Sequence, residues 1–181
     1  MADGNIIFNI EESVWKKKLT EVYCEMAEVR PHWQLVRHCG HLLRAKSVII
    51  IQFLKGNERR ELDFLEELDQ LDIKIFRFEK MESCYDQLNE EEQAEEERNI
   101  LNGLNFARKV IATQECDFLV LDEILGLLDK HIATVDMVVG LLKQKDESMH
   151  LILTGNRVDP GILDYVDSVT TITTLGREQN S

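Results

Sequence analysis

Two adjacent carboxylates, Asp122 and Glu123, close the short apolar run from Phe118 to Leu121. A run of that length reads as a strand buried on both faces of a parallel sheet. Ligands of open α/β sheets sit outside the carboxyl ends of the strands. An Asp-Glu pair placed there has the chemistry of the Mg²⁺- and water-handling end of a nucleotide site. The same pair also suits a strand that stops because its charges reach solvent, so the elements around it carry the choice.

Those elements alternate. Asn5 to Ile10 reads as a first strand, and Glu12 to Val29 as a helix with Trp15, Leu19, Val22 and Met26 at helical spacing. Pro31 interrupts it, and His32 to Arg44 is a second helical stretch. Ser47 to Phe53 carries three consecutive isoleucines and reads as a doubly buried strand. Lys55-Gly56-Asn57 makes a turn, Glu58 to Leu68 a short helix, and Ile73 to Phe78 an alternating strand. Glu79 to Asn89 reads as a loop. Asn89 then caps a helix that opens with Glu90, Glu91 and Glu92, where carboxylates oppose the positive helix end, and runs to about Ala112 with Ile100, Leu104, Ala107 and Ile111 inward. Thr134 to Lys143 is helical, His150 to Thr154 another buried strand, Pro160 to Val166 a short helix, and Ser168 to Thr173 a last β-branched strand. Strands alternating with helices imply one α/β domain over residues 1–181, with a mainly parallel sheet flanked by helices.

Composition narrows the function classes. The chain has 34 acidic against 21 basic residues in 181, a net charge of −13. That excludes nonspecific binding to nucleic acid or to an anionic membrane, while a nucleotide in a local pocket stays compatible. Cys24, Cys39, Cys84 and Cys116 form no Cys-x-x-Cys pair, which fits reduced thiols in a cytoplasmic protein rather than a disulfide framework or zinc ribbon. No basic region followed by a long apolar run marks a signal peptide, and no apolar run reaches the length of a membrane span. His38, Cys39 and His41 supply at most two metal ligands at helical spacing, with no third nearby. Trp15 and Trp33 read as core or interface residues, and Cys84 and Cys116 show no local base that would make a nucleophile.

Four segments then fall into a known order: Val48 to Gly56 followed by Glu58-Arg59, Phe118 to Glu123, Leu151 to Gly155, and Ile162 to Thr170. The series resembles the ATP:corrinoid adenosyltransferases, a branch of the P-loop nucleotide-binding fold, over about Leu35 to Thr170. The resemblance implies a family-like core at 35–175 behind a divergent strand and helix at 1–34. It implies transfer of the 5′-deoxyadenosyl group of ATP to the cobalt of a reduced corrinoid, with Mg²⁺, in a homodimer. The cobalt would do the hard chemistry, and the protein would orient ATP and exclude water. On this resemblance Asp122 and Glu123 are the metal-side carboxylates, with Asp122 beside Mg²⁺. Gln52, Lys55 and Gly56 form one binding loop, Thr154, Gly155, Asn156 and Arg157 another, and Arg157 meets a phosphate. Tyr85 is the nearest aromatic to the position of the family's corrinoid-covering Phe-Thr-Trp segment.

The family opens with a strand running into Gly-x-x-x-x-Gly-Lys-Thr, whose backbone N–H groups cradle phosphates. Here the residues after Asn5–Ile10 are Glu11-Glu12-Ser13-Val14-Trp15-Lys16-Lys17-Lys18, and no such motif occurs anywhere in the chain. Two functions therefore stand side by side: an adenosyltransferase-like enzyme with an altered phosphate site, and a non-catalytic binding or regulatory homologue on the same scaffold.

Overall fold

The computed structural model describes residues 20–25, 47–54, 72–79 and 85–172. Six strands form one sheet: β1 Thr20–Glu25, β2 Ser47–Gln52, β3 Asp72–Arg77, β4 Phe118–Asp122, β5 His150–Gly155 and β6 Ser168–Ile172. Their order is β3-β2-β4-β5-β1-β6, and every neighbouring pair is parallel. All carboxyl ends therefore share one edge. Three helices are described: α1 Glu90–Thr113, α2 Ile124–Asp129 and α3 Val135–Leu142, with 3₁₀ turns at Tyr85–Gln87 and Pro160–Tyr165. None is long and apolar enough to cross a membrane.

The pleat sends alternate side chains to two cores. Ile49, Ile51, Leu119, Leu121, Leu151 and Leu153 face the larger one, where they meet Ile100, Leu104, Ala107 and Ile111 of α1 and Val138, Leu141 and Leu142 of α3. Val48, Ile50, Phe118, Val120 and Ile152 face the other, together with Tyr23 and Ile73. Burial on both faces explains why β2, β4 and β5 are nearly unbroken apolar runs.

Helix α1 begins as its sequence demands. Asn89 accepts from the Glu91 and Glu92 N–H groups, and Glu92 accepts in return from the Asn89 N–H, a capping box that satisfies N–H groups the helix cannot. Gly103 in its middle lets Phe53 and Phe78 approach, since a Cβ there would stand 2.6 Å from Phe78 Cγ.

The expected helix over Glu12–Val29 is overturned for its described part. Thr20–Glu25 is a strand, inserted between β5 and β6, with Val22 fully buried in the larger core and Tyr23 in the other. The spacing of Leu19, Val22 and Met26 suits a helix, yet Thr20, Val22 and Cys24 equally alternate with Glu21 and Tyr23, and pairing on both sides selects the strand. The correction places Val22 in the interior of the sheet rather than on a helix face. In sequence β1 is followed by Met26-Ala27-Glu28-Val29-Arg30-Pro31. The expected Asn5–Ile10 strand, the segments His32–Arg44 and Glu58–Leu68, the residues His38, Cys39, His41, Cys84 and both tryptophans lie outside the described residues. Helix α2 is an addition: Ile-Leu-Gly-Leu-Leu-Asp is too short to show a period.

Candidate functional site

The register places Gln52 opposite both Arg77 on β3 and Asp122 on β4. The ladder then continues one step beyond, with the Phe78 N–H donating to the Gln52 carbonyl and the Phe53 N–H to the Asp122 carbonyl. The last rung of three strands is thus held in line. On it, Gln52 Nε2 donates to Asp122 Oδ2 at 3.1 Å, and Thr154 Oγ1 at the end of β5 donates to Asp122 Oδ1 at 2.7 Å. All three side chains are buried. Thr154 donates because its own oxygen accepts the Glu123 N–H at 2.8 Å. One buried carboxylate is therefore gripped at both oxygens by neutral donors from the two neighbouring strands, which fixes its plane.

The chain turns sharply after Asp122. Glu123 takes a left-handed conformation (φ 63°), unusual for a residue with a side chain, and the Glu123 N–H bond to Thr154 holds it there. Helix α2 starts at once and packs on the end of β5. Gly155 makes this possible: its φ is +155°, and a Cβ would stand 2.5 Å from Leu125 Cβ.

The remaining expected site residues divide. Asp122, Gln52 and Thr154 are brought into one cluster, with Glu123 and Gly155 adjoining it. Asn156 and Arg157 follow in the exposed turn after β5. Arg157 Nη2 donates to Asp129 Oδ1 at the end of α2, at 2.7 Å, so the residue expected to meet a phosphate is engaged in an exposed ion pair. Tyr85 hydrogen-bonds through its hydroxyl to Glu97 Oε1 of α1, and Lys130 Nζ lies 5.5 Å from its ring centre. Burial, then the bond to Glu97, push its phenol up to about 12. Lys55 and Gly56 lie outside the described residues. Arg77 was not foreseen as part of the site: its Nε donates to Gln52 Oε1 at 3.1 Å. Its position as the final residue of the alternating β3 was the available signal.

Cys24, at the end of β1 on this same edge, is buried, and burial with the Asp129 carboxylate nearby raises its thiol pKa. No group of three or more His, Cys, Asp or Glu side chains placed to hold a metal occurs among the described residues. That does not conflict with Mg²⁺, which is commonly held by one or two carboxylates, water and substrate phosphates rather than by an all-protein cage. The oriented carboxylate of Asp122 fits such an ion.

Comparison with known proteins identifies a family. Residues 34–179 match the family model described as ATP:corrinoid adenosyltransferase BtuR/CobO/CobP. A 65-residue stretch, 36% of this chain, is 38% identical to the uncharacterized protein all2391 of Nostoc sp. (strain PCC 7120 / SAG 25.82 / UTEX 2576). The match covers 17% of that protein's length, and its name assigns no activity. Strand β1 lies ahead of the family match, whereas Gln52, Arg77, Asp122 and Thr154 all lie within it. With most of its length matched, on an all-parallel sheet of the expected α/β type, the chain belongs to the ATP:corrinoid adenosyltransferase family.

Proposed function

We propose that the carboxyl edge of this sheet brings ATP and a reduced corrinoid together for transfer of the 5′-deoxyadenosyl group to cobalt. In that reaction the cobalt(I) electron pair forms the bond to C5′ as the C5′–O bond breaks, and the triphosphate leaves with the electrons. The observation that carries the reading is the Asp122 carboxylate, fixed by Gln52 and Thr154 at the strand ends of a family member. Mg²⁺, when bound, neutralises charge on the triphosphate. Asp122 offers an oriented carboxylate to that ion, and the turn at Glu123 and Gly155 shapes the adjoining wall. Asn156 and Arg157 extend the same edge. Arg157 would have to leave Asp129 to meet a phosphate, an exchange of one exposed charge-assisted bond for another.

A second reading has its own support. The residues after β1, Met26 to Pro31, contain no glycine and no Lys-Thr, so they lack the composition of a phosphate cradle. Each missing backbone N–H to a phosphate oxygen removes a charge-assisted bond worth roughly 1.5–3 kcal/mol. Losing several weakens ATP binding by about three or more powers of ten relative to a family member with the loop. A chain with that deficit serves as a non-catalytic corrinoid-binding or regulatory homologue.

The deciding experiment is anaerobic incubation of the protein with ATP, Mg²⁺ and chemically reduced cob(I)alamin, following the cobalt–carbon product by its absorbance. Parallel calorimetric titrations use ATP·Mg²⁺ and cobalamin separately. Turnover abolished by Asp122→Ala supports the transferase. Corrinoid binding with no turnover and millimolar or weaker ATP supports the second reading. Silence toward both ligands overturns the transferase and supports the regulatory form of the second reading.

A further inference from the structure

Arg77 lies within the family match but outside the four short sequence segments quoted above, and it reaches the candidate site through one intermediary. Its Nε donates to Gln52 Oε1, and Gln52 Nε2 donates to Asp122 Oδ2, both at 3.1 Å. The two ends of an amide differ in hydrogen-bonding sense, so this chain has a direction. A guanidinium has donors and no acceptor, so the amide end facing Arg77 must be the carbonyl. The NH₂ then necessarily faces Asp122. Rotated by half a turn, the amide would set its oxygen against a carboxylate oxygen and its NH₂ against a cation, unfavourable at both ends. Gln52 is only 3% exposed, so water is poorly placed to compensate.

The backbone keeps this relay in line. Gln52 pairs with Arg77 on one side and Asp122 on the other. Side chains of paired residues project to the same face of the sheet. The continuing bonds from the Phe78 and Phe53 N–H groups prevent the three strand ends from splaying.

We propose that Arg77 is a positioning residue for Asp122: by setting the orientation of the Gln52 amide it holds Asp122 Oδ2 in place, as Thr154 holds Oδ1. The functional consequence rests on the site reading above, in which Asp122 stands beside a nucleotide-bound divalent ion. The positioning itself does not rest on that reading. Residues behind a metal-side carboxylate commonly change metal affinity about 10- to 100-fold when removed.

The test uses the full chain. The side-chain amide of Gln52 is followed by ¹⁵N–¹H NMR, its resonance assigned by loss in Gln52→Leu. Affinity for Mn²⁺ in the presence of ATP is followed by electron paramagnetic resonance. In wild type the Gln52 NH₂ should give one slowly exchanging pair of signals. Arg77→Met should broaden or double that pair, speed its exchange, and weaken Mn²⁺ about 10- to 100-fold. Arg108→Met, at a half-buried residue of α1 whose side chain donates to Asn105 Oδ1 one turn away, should change neither. Arg77→Lys keeps a cationic donor and guards against a folding defect; it should fall between wild type and Arg77→Met. A merely structural role would lower the melting temperature and leave the Gln52 signals in place. Unchanged Gln52 signals in Arg77→Met, or an Arg77→Lys protein as perturbed as Arg77→Met, would overturn the positioning role. Failure of the wild type to hold Mn²⁺ with ATP would instead count against the proposed function, with the Gln52 signals still deciding the role of Arg77.

Discussion

Thr154 joins β5 to the end of β4 with a single hydroxyl, donating to Asp122 Oδ1 at 2.7 Å while accepting the Glu123 N–H at 2.8 Å. The group is buried, so neither bond is readily replaced by water. Thr154→Val keeps the shape and removes both. A hydrogen bond to a charged group is worth about 1.5–3 kcal/mol, and the orphaned N–H adds to the loss. Urea unfolding should show Thr154→Val destabilised by at least that amount and Thr154→Ser by much less. Equal midpoints for Thr154→Val and wild type would mean the hydroxyl does not hold this corner together.

Gly155 and Leu125 are in contact that admits no side chain. An alanine Cβ at 155 would lie 2.5 Å from Leu125 Cβ and 3.2 Å from the Gly126 nitrogen, and the φ of +155° adds backbone strain. Overpacking of this kind costs about 1–3 kcal/mol, and the strained backbone about 1–3 kcal/mol more. Gly155→Ala should therefore be destabilised by several kcal/mol in denaturant melts. It should also displace α2 and, with it, Glu123, which a change in the NMR shifts of residues 123–126 would register.

Two helix glycines should respond to alanine with opposite signs. Alanine gains about 1 kcal/mol over glycine in a helix interior. At Gly140 in α3 nothing lies within 4 Å of the new Cβ, so Gly140→Ala should stabilise. At Gly103 in α1 the new Cβ would lie 2.6 Å from Phe78 Cγ and 2.8 Å from Phe53 Cε1. Overpacking of about 1–3 kcal/mol then exceeds the propensity gain, and Gly103→Ala should destabilise. Thermal melts of the two variants side by side check the sign of each.

Cys116 makes stability sensitive to alkaline pH. Burial pushes its thiol from 9.0 up to about 11. Between those values the unfolded chain has released the proton and the folded chain still holds it, so fewer protons are bound in the unfolded state and stability falls as pH rises. The contribution is fully present below pH 9 and lost through about pH 11, on the order of 1–3 kcal/mol in all. Subtracting the unfolding free energies of Cys116→Ala from those of wild type at each pH should isolate a decline confined to that window. A flat difference would show that the thiol is not held neutral by burial.

The reading of the fold from sequence succeeds where local chemistry and final environment coincide. Strands β2, β4 and β5 are buried on both faces, so no polar alternation dilutes their apolar runs, and each was legible from six or so residues. Helix α1 announces its own start through Asn89 and the three glutamates of its first turn. The convergence of Gln52, Asp122 and Thr154 follows from the same source. Once those three runs are parallel and adjacent, their final residues must share an edge.

What the sequence left open belongs to contacts between distant residues. Thr20–Glu25 carries apolar residues compatible with both periods, and only hydrogen bonding to β5 and β6 on its two sides makes it a strand. Helix α2 spans six residues, fewer than two turns, and is held by packing on Gly155 rather than by any pattern of its own. Arg157 was assigned to a phosphate on charge and position, but its partner Asp129 stands on a helix the sequence did not show. Arg77 and Gln52 are separated by 25 positions, and nothing near either one encodes the bond. Residue types determined that this chain carries an Asp-Glu pair at the end of a buried strand. Which donors orient that pair was decided by strand order and register, because a hydrogen bond requires two groups within about 3 Å, and only the assembled sheet sets that distance.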